Sequence, residues 1–284
     1  MIRNLEKELS SFDFKNSSIK DIEQLFSDEI LGHSRPTVSI SPEGLFRARI
    51  ISEVSQEDLK TAKSIWYPDF KEIKQENHRL NRCSDKGQNF FYSSNSLEAV
   101  IKELDPKDND KVMIGIFHKR FSELKITSQY AGIEVLKNNL MQNSMLRDYK
   151  YRSKNDELIE KYISSKFQQR VKDNDEEYVY KSSIAFSNIL LKNEEINCII
   201  YPSVASNLNL VNYGIKPEFV DDFLFCDKAF TYEIKRTDDQ YKLLPLTYAF
   251  IPFDKIDKVS PKESFFNWQE ISQLERKMIK MYSR

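Results

Sequence analysis

The sequence predicts an α+β protein, and three observations carry that prediction. Segments with the two-residue alternation of strands are mixed with segments of helical spacing, without a regular strand–helix–strand rhythm. Hydrophobic residues make up 40% of the 284 and aromatics 12%, enough to fill a core and to argue against disorder over most of the length. Only six glycines and nine prolines punctuate the chain, so long elements with short connections follow. It shows no internal repeat and no low-complexity linker.

Residues 1–32 read as helical, with Ile19, Ile22, Leu25 and Phe26 at helical spacing and an end near Gly32. A strand follows at Gly44–Ile51, where Phe46, Ala48 and Ile50 alternate with Arg47 and Arg49. Residues 56–80 are helix or loop around Ile65-Trp66-Tyr67-Pro68, and Asn81–Asn89 is rich in turn formers. Phe90–Tyr92 is a short strand feeding a helix capped by Asn95, with Glu98 three residues on, which stops at Asp105-Pro106. Lys111–Phe117 reads as a buried strand, 133–172 as helical, and Tyr178–Leu191 as a further helix. Cys198–Tyr201 and Asn207–Asn212 read as strands, and Phe230–Ile234 with Tyr241–Phe250 as a late hairpin. Residues 264–282 form a last amphipathic helix around Phe265, Trp268, Ile271, Leu274 and Met278, a docking or dimer face.

Charge excludes some function classes. Forty-three basic and 44 acidic residues nearly cancel, giving net −1, so nucleic acid is not the default partner. The start of the chain lacks the apolar core of a signal peptide, and no stretch approaches the roughly 18 apolar residues of a membrane span. Cys83, Cys198 and Cys226 are odd in number, far apart and without a CxxC pair, which suits reduced thiols in the cytoplasm and offers no zinc site. There is no GxGxxG after a strand, no GxxxxGK[ST] and no HExxH. The small basic clusters at His118-Lys119-Arg120 and Lys166–Lys172 read as solvated faces.

Three segments, in order, resemble the RES domain, a family of bacterial toxins named for its Arg, Glu and Ser. Leu45-Phe46-Arg47-Ala48-Arg49 resembles the opening strand, in which Arg follows an aromatic; Arg47 fits that place better than Arg49. Arg82, Gly87, Tyr92 and Ser96 through Glu103 fall into the family's second block without a gap. Ile199-Ile200-Tyr201-Pro202-Ser203 followed by Asn209-Leu210 resembles its Tyr-Pro-Ser and Asn-Leu pair. The resemblance spans about residues 43–252. It departs from the family at Asn81, Cys83, Ser84 and Asp85-Lys86, where a Gly, a Trp/Phe-Asn pair and a Pro-Pro turn usually stand.

The resemblance implies an ADP-ribosyltransferase-like core of two small sheets around a cleft. On this reading 1–40 is a helical N-terminal extension, 41–255 the catalytic domain with a helical insertion at about 118–190, and 256–284 a C-terminal helix packed on the core. The implied activity is cleavage of the nicotinamide–ribose bond of NAD⁺, with phosphate or water as acceptor and no metal. Transfer of ADP-ribose to a protein or nucleic acid, or an inactive RES-like binding module, are the alternatives. The implied partners are a protein antitoxin and a second copy in a homodimer, and the amphipathic pattern of 1–32 and 264–282 suits such contacts.

Chemistry at NAD⁺ asks for cations on the diphosphate, an aromatic near nicotinamide and a carboxylate beside an oxocarbenium-like ribose. The resemblance assigns Arg47 and Arg82 to the diphosphate, Tyr92 to the nicotinamide ribose, Glu103 to the developing cation, and Ser203 and Asn209 to ligand hydrogen bonds. Pattern alone reads them as an exposed strand Arg, a core Tyr, a solvated helix Glu and a turn hydroxyl. Ser203 has no Asp–His pair placed to activate it, since the histidines are His33, His78 and His118. Tyr201 reads equally as core or as pocket wall.

Overall fold

The computed structural model describes residues 5–31, 35–71, 73–137, 146, 149–169, 178–238, 240–256 and 260–272. Its helices are α1 (Leu5–Ser11), α2 (Ile19–Leu31), α3 (Leu97–Leu104), α4 (Ile133–Leu136), α5 (Lys154–Phe167), α6 (Tyr180–Leu191) and α7 (Pro217–Phe223). Its strands are β1 (Thr37–Ile40), β2 (Leu45–Ile50), β3 (Phe91–Ser94), β4 (Lys111–Lys119) and β5 (Ile126–Tyr130), then β6 (Cys198–Pro202), β7 (Val211–Ile215), β8 (Leu224–Thr237), β9 (Gln240–Phe250) and β10 (Asn267–Glu270). The protein is α+β. No described helix is long and apolar enough to cross a membrane.

The chain folds as two units interleaved in sequence: one takes 1–40, 68–90 and 125–216, the other 41–67, 91–124 and 217–284. The second unit is built on an antiparallel array in the order β3-β2-β4-β8-β9-β10. Alternation along β2 sends Phe46 and Ala48 to one face, where they pack with Ile101 and Leu104 of α3 and with Val112, Ile114 and Ile234. Arg47 and Arg49 stand on the other. Paired residues of antiparallel strands share a face, so the register lays two rows across that side. One row is Arg47–Gly115–Ala229–Ala249–Trp268, the other Arg49–Met113–Thr231–Thr247–Glu270. Over the small residues of the first row lies the 3₁₀ turn Ala62–Ile65.

In the first unit the order is β1-β5-β6-β7, parallel only between β5 and β6. Ile22 and Phe26 of α2 are fully buried, with the Phe26 ring 4.7 Å from Phe186 of α6 and 5.3 Å from Tyr162 of α5. Burying one such side chain contributes about 1.5–3 kcal/mol, so the N-terminal helical segment is part of this unit's core rather than an appendage. Arg35 adds a buried charge contact: it pairs with Glu160 of α5 and donates to the Tyr130 carbonyl at 2.6 Å.

Several sequence expectations change. Residues 1–32 hold two helices, because Ser18 and Asp21 cap each other reciprocally (Ser18 N to Asp21 Oδ2, 2.8 Å; Asp21 N to Ser18 Oγ, 3.2 Å) and restart the chain at α2. The cap of α3 is Ser96, whose Oγ accepts from Ala99 N at 3.3 Å, rather than Asn95. Residues 56–80 are loop with short 3₁₀ turns. Helix within 133–172 is described at α4 and α5, and residues 138–145 and 170–172 lie outside the described residues. Residues 207–210 are turn, and the strand begins at Val211. In place of a helix at 264–282, residues 267–270 pair with β9 as β10, and 273–284 lie outside the described residues.

In the second unit the turn at Ala62–Ile65 packs closely on Gly115. A Cβ there would stand 2.9 Å from Ile65 Cγ1 and 3.1 Å from Cys226 Sγ, a clash in a filled interior. Gly115→Ala is expected to lower stability by about 1–3 kcal/mol in urea unfolding. An unchanged midpoint would show that Ile65 does not pack on β4.

Candidate functional site

Arg47 and Arg49 sit two residues apart on one strand, so their guanidinium groups rise side by side from one face. Arg47 donates through Nε to the Ile65 (3.0 Å) and Trp66 (3.3 Å) carbonyls and through Nη1 to the Tyr92 carbonyl (3.0 Å). Its guanidinium carbon lies 5.4 Å from the Phe91 ring centroid. Arg49 donates through Nη1 to the Ser64 carbonyl at 2.8 Å. Carbonyls at the end of a helical turn lack intrahelical partners and carry partial negative charge, which is why two cations settle there. Burial first, and then the neighbouring Arg49 cation, push the Arg47 guanidinium down to about 10. It is still charged at neutral pH.

Neither arginine is paired with a carboxylate among the described residues. A guanidinium has five N–H donors, so both keep donors beyond those the carbonyls use. Two adjacent cations balanced only by carbonyl dipoles attract an anion of two or more charges.

Tyr92 enters the same neighbourhood through its backbone, as the carbonyl that Arg47 holds, and its side chain is half-buried. Glu103 does not. Helix α3 covers the Phe46 and Ala48 face of β2, and Glu103 is exposed on that helix, so the sheet stands between Glu103 and the two arginines. Ala99, one turn before Glu103, is fully buried.

The other predicted residues belong to the first unit. Arg82 is buried, donates through Nη1 to the Phe167 carbonyl at 2.7 Å, and lies 5.3 Å and 6.0 Å from the Tyr180 and Tyr201 ring centroids. A cation held between two rings and a carbonyl is a strut that joins α5, α6 and β6. Tyr201 is therefore wall to an arginine. Ser203 is fully buried at the end of β6; its N–H donates to the Leu210 carbonyl (2.8 Å) and its carbonyl accepts from Leu208 N–H (2.9 Å). Those two bonds close the 203–210 turn, which reverses through left-handed Asn207 and Leu208 and leaves Asn209 exposed. Burial pushes the thiols of Cys83 and Cys198 up to about 12 and that of Cys226 higher still, so none is a nucleophile at neutral pH.

No protein-family model matches the chain, and no curated protein matches it.

One cluster escapes the sequence reading. His118, expected on a solvated basic face, is half-buried between two acids: Nδ1 is 3.0 Å from Glu43 Oε2 and Nε2 3.3 Å from Asp227 Oδ1. Lys119 stands 3.6 Å from Glu43 and Lys228 3.6 Å from Asp227. Only the protonated ring offers a donor to both carboxylates, and the Asp227 contact leads in raising His118 above 6.5. Asp227 is lowered: burial, the largest single influence, works to raise it, and His118, Lys228 and a backbone hydrogen bond together outweigh burial. A raised histidine contributes stability that is complete below its unfolded value of about 6.5 and is lost as pH rises through the folded one. The stability difference between wild type and His118→Gln is expected to be largest near pH 6 and to shrink above it, by less than about 1 kcal/mol for a group that solvent still screens. A difference that is flat from pH 6 to 9 in urea unfolding would remove the double clamp.

Proposed function

We propose that the chain is a RES-type toxin that degrades NAD⁺ at its nicotinamide–ribose bond, with an ADP-ribosyltransferase-like fold. The observation that carries the reading is the Arg47–Arg49 pair, two neighbouring cations without an acidic partner among the described residues, which suits a diphosphate. It refines the expected assignment, since both arginines now serve and Arg82 acts as a buried strut. The α+β class and the places of Arg47 on a strand, Tyr92 ahead of a helix and Ser203 at a strand end agree with the resemblance.

In the reaction the C1′–N bond breaks and its electron pair leaves with nicotinamide, which needs no proton. Phosphate or water attacks the ribosyl cation through oxygen, and water then gives up a proton. The resemblance assigns Glu103 to stabilising that cation. A separate antitoxin protein and a homodimer belong to the same reading, as does a cytoplasmic address.

A second reading has its own observation. Because the sheet stands between Glu103 and the arginines, the chain would hold a dinucleotide diphosphate without cleaving it, as a RES-like binding module. NAD⁺ incubated with protein, with and without phosphate, and followed by mass separates the two. The toxin reading expects nicotinamide release that Glu103→Gln reduces at least a hundredfold, on the order of one transition-state contact. It also expects Arg49→Ala to weaken NAD⁺ binding about tenfold, more than Arg82→Ala does. Intact NAD⁺ beside saturable binding selects the binding module, and absence of both contradicts the proposal.

A further inference from the structure

The arginine-bearing face of the second unit also carries, at its other end, a groove of about 460 Å³ whose residues the NAD⁺ reading does not use. We infer that this groove binds a small planar aromatic carboxylate. The volume falls within the range of small-molecule sites. Its floor is the row that runs through Thr231 and Thr247, and its walls include Leu59, Leu246 and Trp268. The Trp268 indole is fixed in place, since Nε1 donates to the Leu59 carbonyl at 2.8 Å and the ring lies 5.5 Å from Phe266. A fixed indole beside two leucines suits a flat ring.

The floor supplies a polar contact. Thr231 Oγ1 and Thr247 Oγ1 are 2.6 Å apart, and Thr247 N–H donates to Thr231 Oγ1 at 3.2 Å. Two hydroxyls have two donors, and their mutual bond uses one. The other has no acceptor among the described residues; with Thr231 donating to Thr247, it is the hydroxyl of half-buried Thr247, which lines the groove. A bound oxygen satisfies it.

The rim offers one ammonium to an anion. Lys60 and Lys111 line the groove with one acid, Glu270, and with Glu57 beside Lys60 the four charges cancel. Lys60 is already paired with Glu57, whereas Lys111 has no carboxylate partner among the described residues. A single carboxylate thus meets a donor at the floor and an ammonium at the rim, with its ring against Trp268. None of these groups is Arg47 or Arg49, so the inference stands apart from NAD⁺ turnover.

Trp66 and Trp268 are the only tryptophans, so ¹⁵N-labelled protein gives two side-chain indole N–H signals. Titration with indole-3-acetate is expected to move the Trp268 signal saturably and leave that of Trp66 in place. Neutral indole-3-acetamide is expected to bind about tenfold more weakly, as is the acid to Lys111→Ala or to Thr247→Val. Lys111 is exposed, so its variant keeps the test valid if Thr247→Val fails to fold. No saturable Trp268 shift, equal affinity for acid and amide, or unchanged affinity in Lys111→Ala overturns the inference.

Discussion

Two guanidinium groups side by side on β2 hold the carbonyls of Ser64, Ile65 and Trp66, and much of the second unit is arranged by that contact. Like charges this close repel. Carbonyl dipoles at the end of a short helical turn offset the repulsion without neutralising it. With the turn held there, Ile65 lies over Gly115, and the Trp66 ring lies 5.1 Å from Phe117 while its Nε1 donates to Asp221 at 2.7 Å. The same contact serves packing and leaves a doubly positive spot on the strand. Such a spot is costly to retain for packing alone, which is why we propose an anion for it.

The sheet then partitions the chemistry. On one side lie the arginines, the threonine pair and Trp268; on the other lie α3, Glu103 and the aliphatic cluster around Ile101. A strand's two-residue period makes this separation unavoidable once Phe46 and Ala48 pack beneath α3. Binding a diphosphate requires only the first side. Cleaving a glycosidic bond requires a carboxylate next to the sugar, and that is why binding and turnover are separable questions here.

Much of the fold was legible. The alternation of Phe46, Ala48 and Ile50 against Arg47 and Arg49 gave the strand and its two faces, and Asp105-Pro106 gave the end of α3. Phe265, Trp268 and Ile271 fit a helical period over a few residues, yet at 267–270 pairing with β9, a long-range contact, makes a strand, and 273–284 lie outside the described residues. At 207–210 Leu208 and Leu210 alternate with asparagines as in a strand, yet the reversal puts Asn207 and Leu208 at positive φ. At the site, Arg47 and Tyr92 meet through the Tyr92 carbonyl. What local pattern omits is partners: nothing near Arg82 announces Tyr180 and Tyr201, and nothing near His118 announces Glu43 and Asp227.

The most direct test of the uncompensated arginine pair is calorimetric titration with inorganic pyrophosphate at two salt concentrations. Binding that weakens as salt rises and is lost in Arg49→Ala is the predicted result, because the attraction is between charges and both cations take part. Pyrophosphate that fails to bind, or binds Arg49→Ala as well as wild type, would show that the carbonyls already satisfy both guanidinium groups and that the pair only supports the fold.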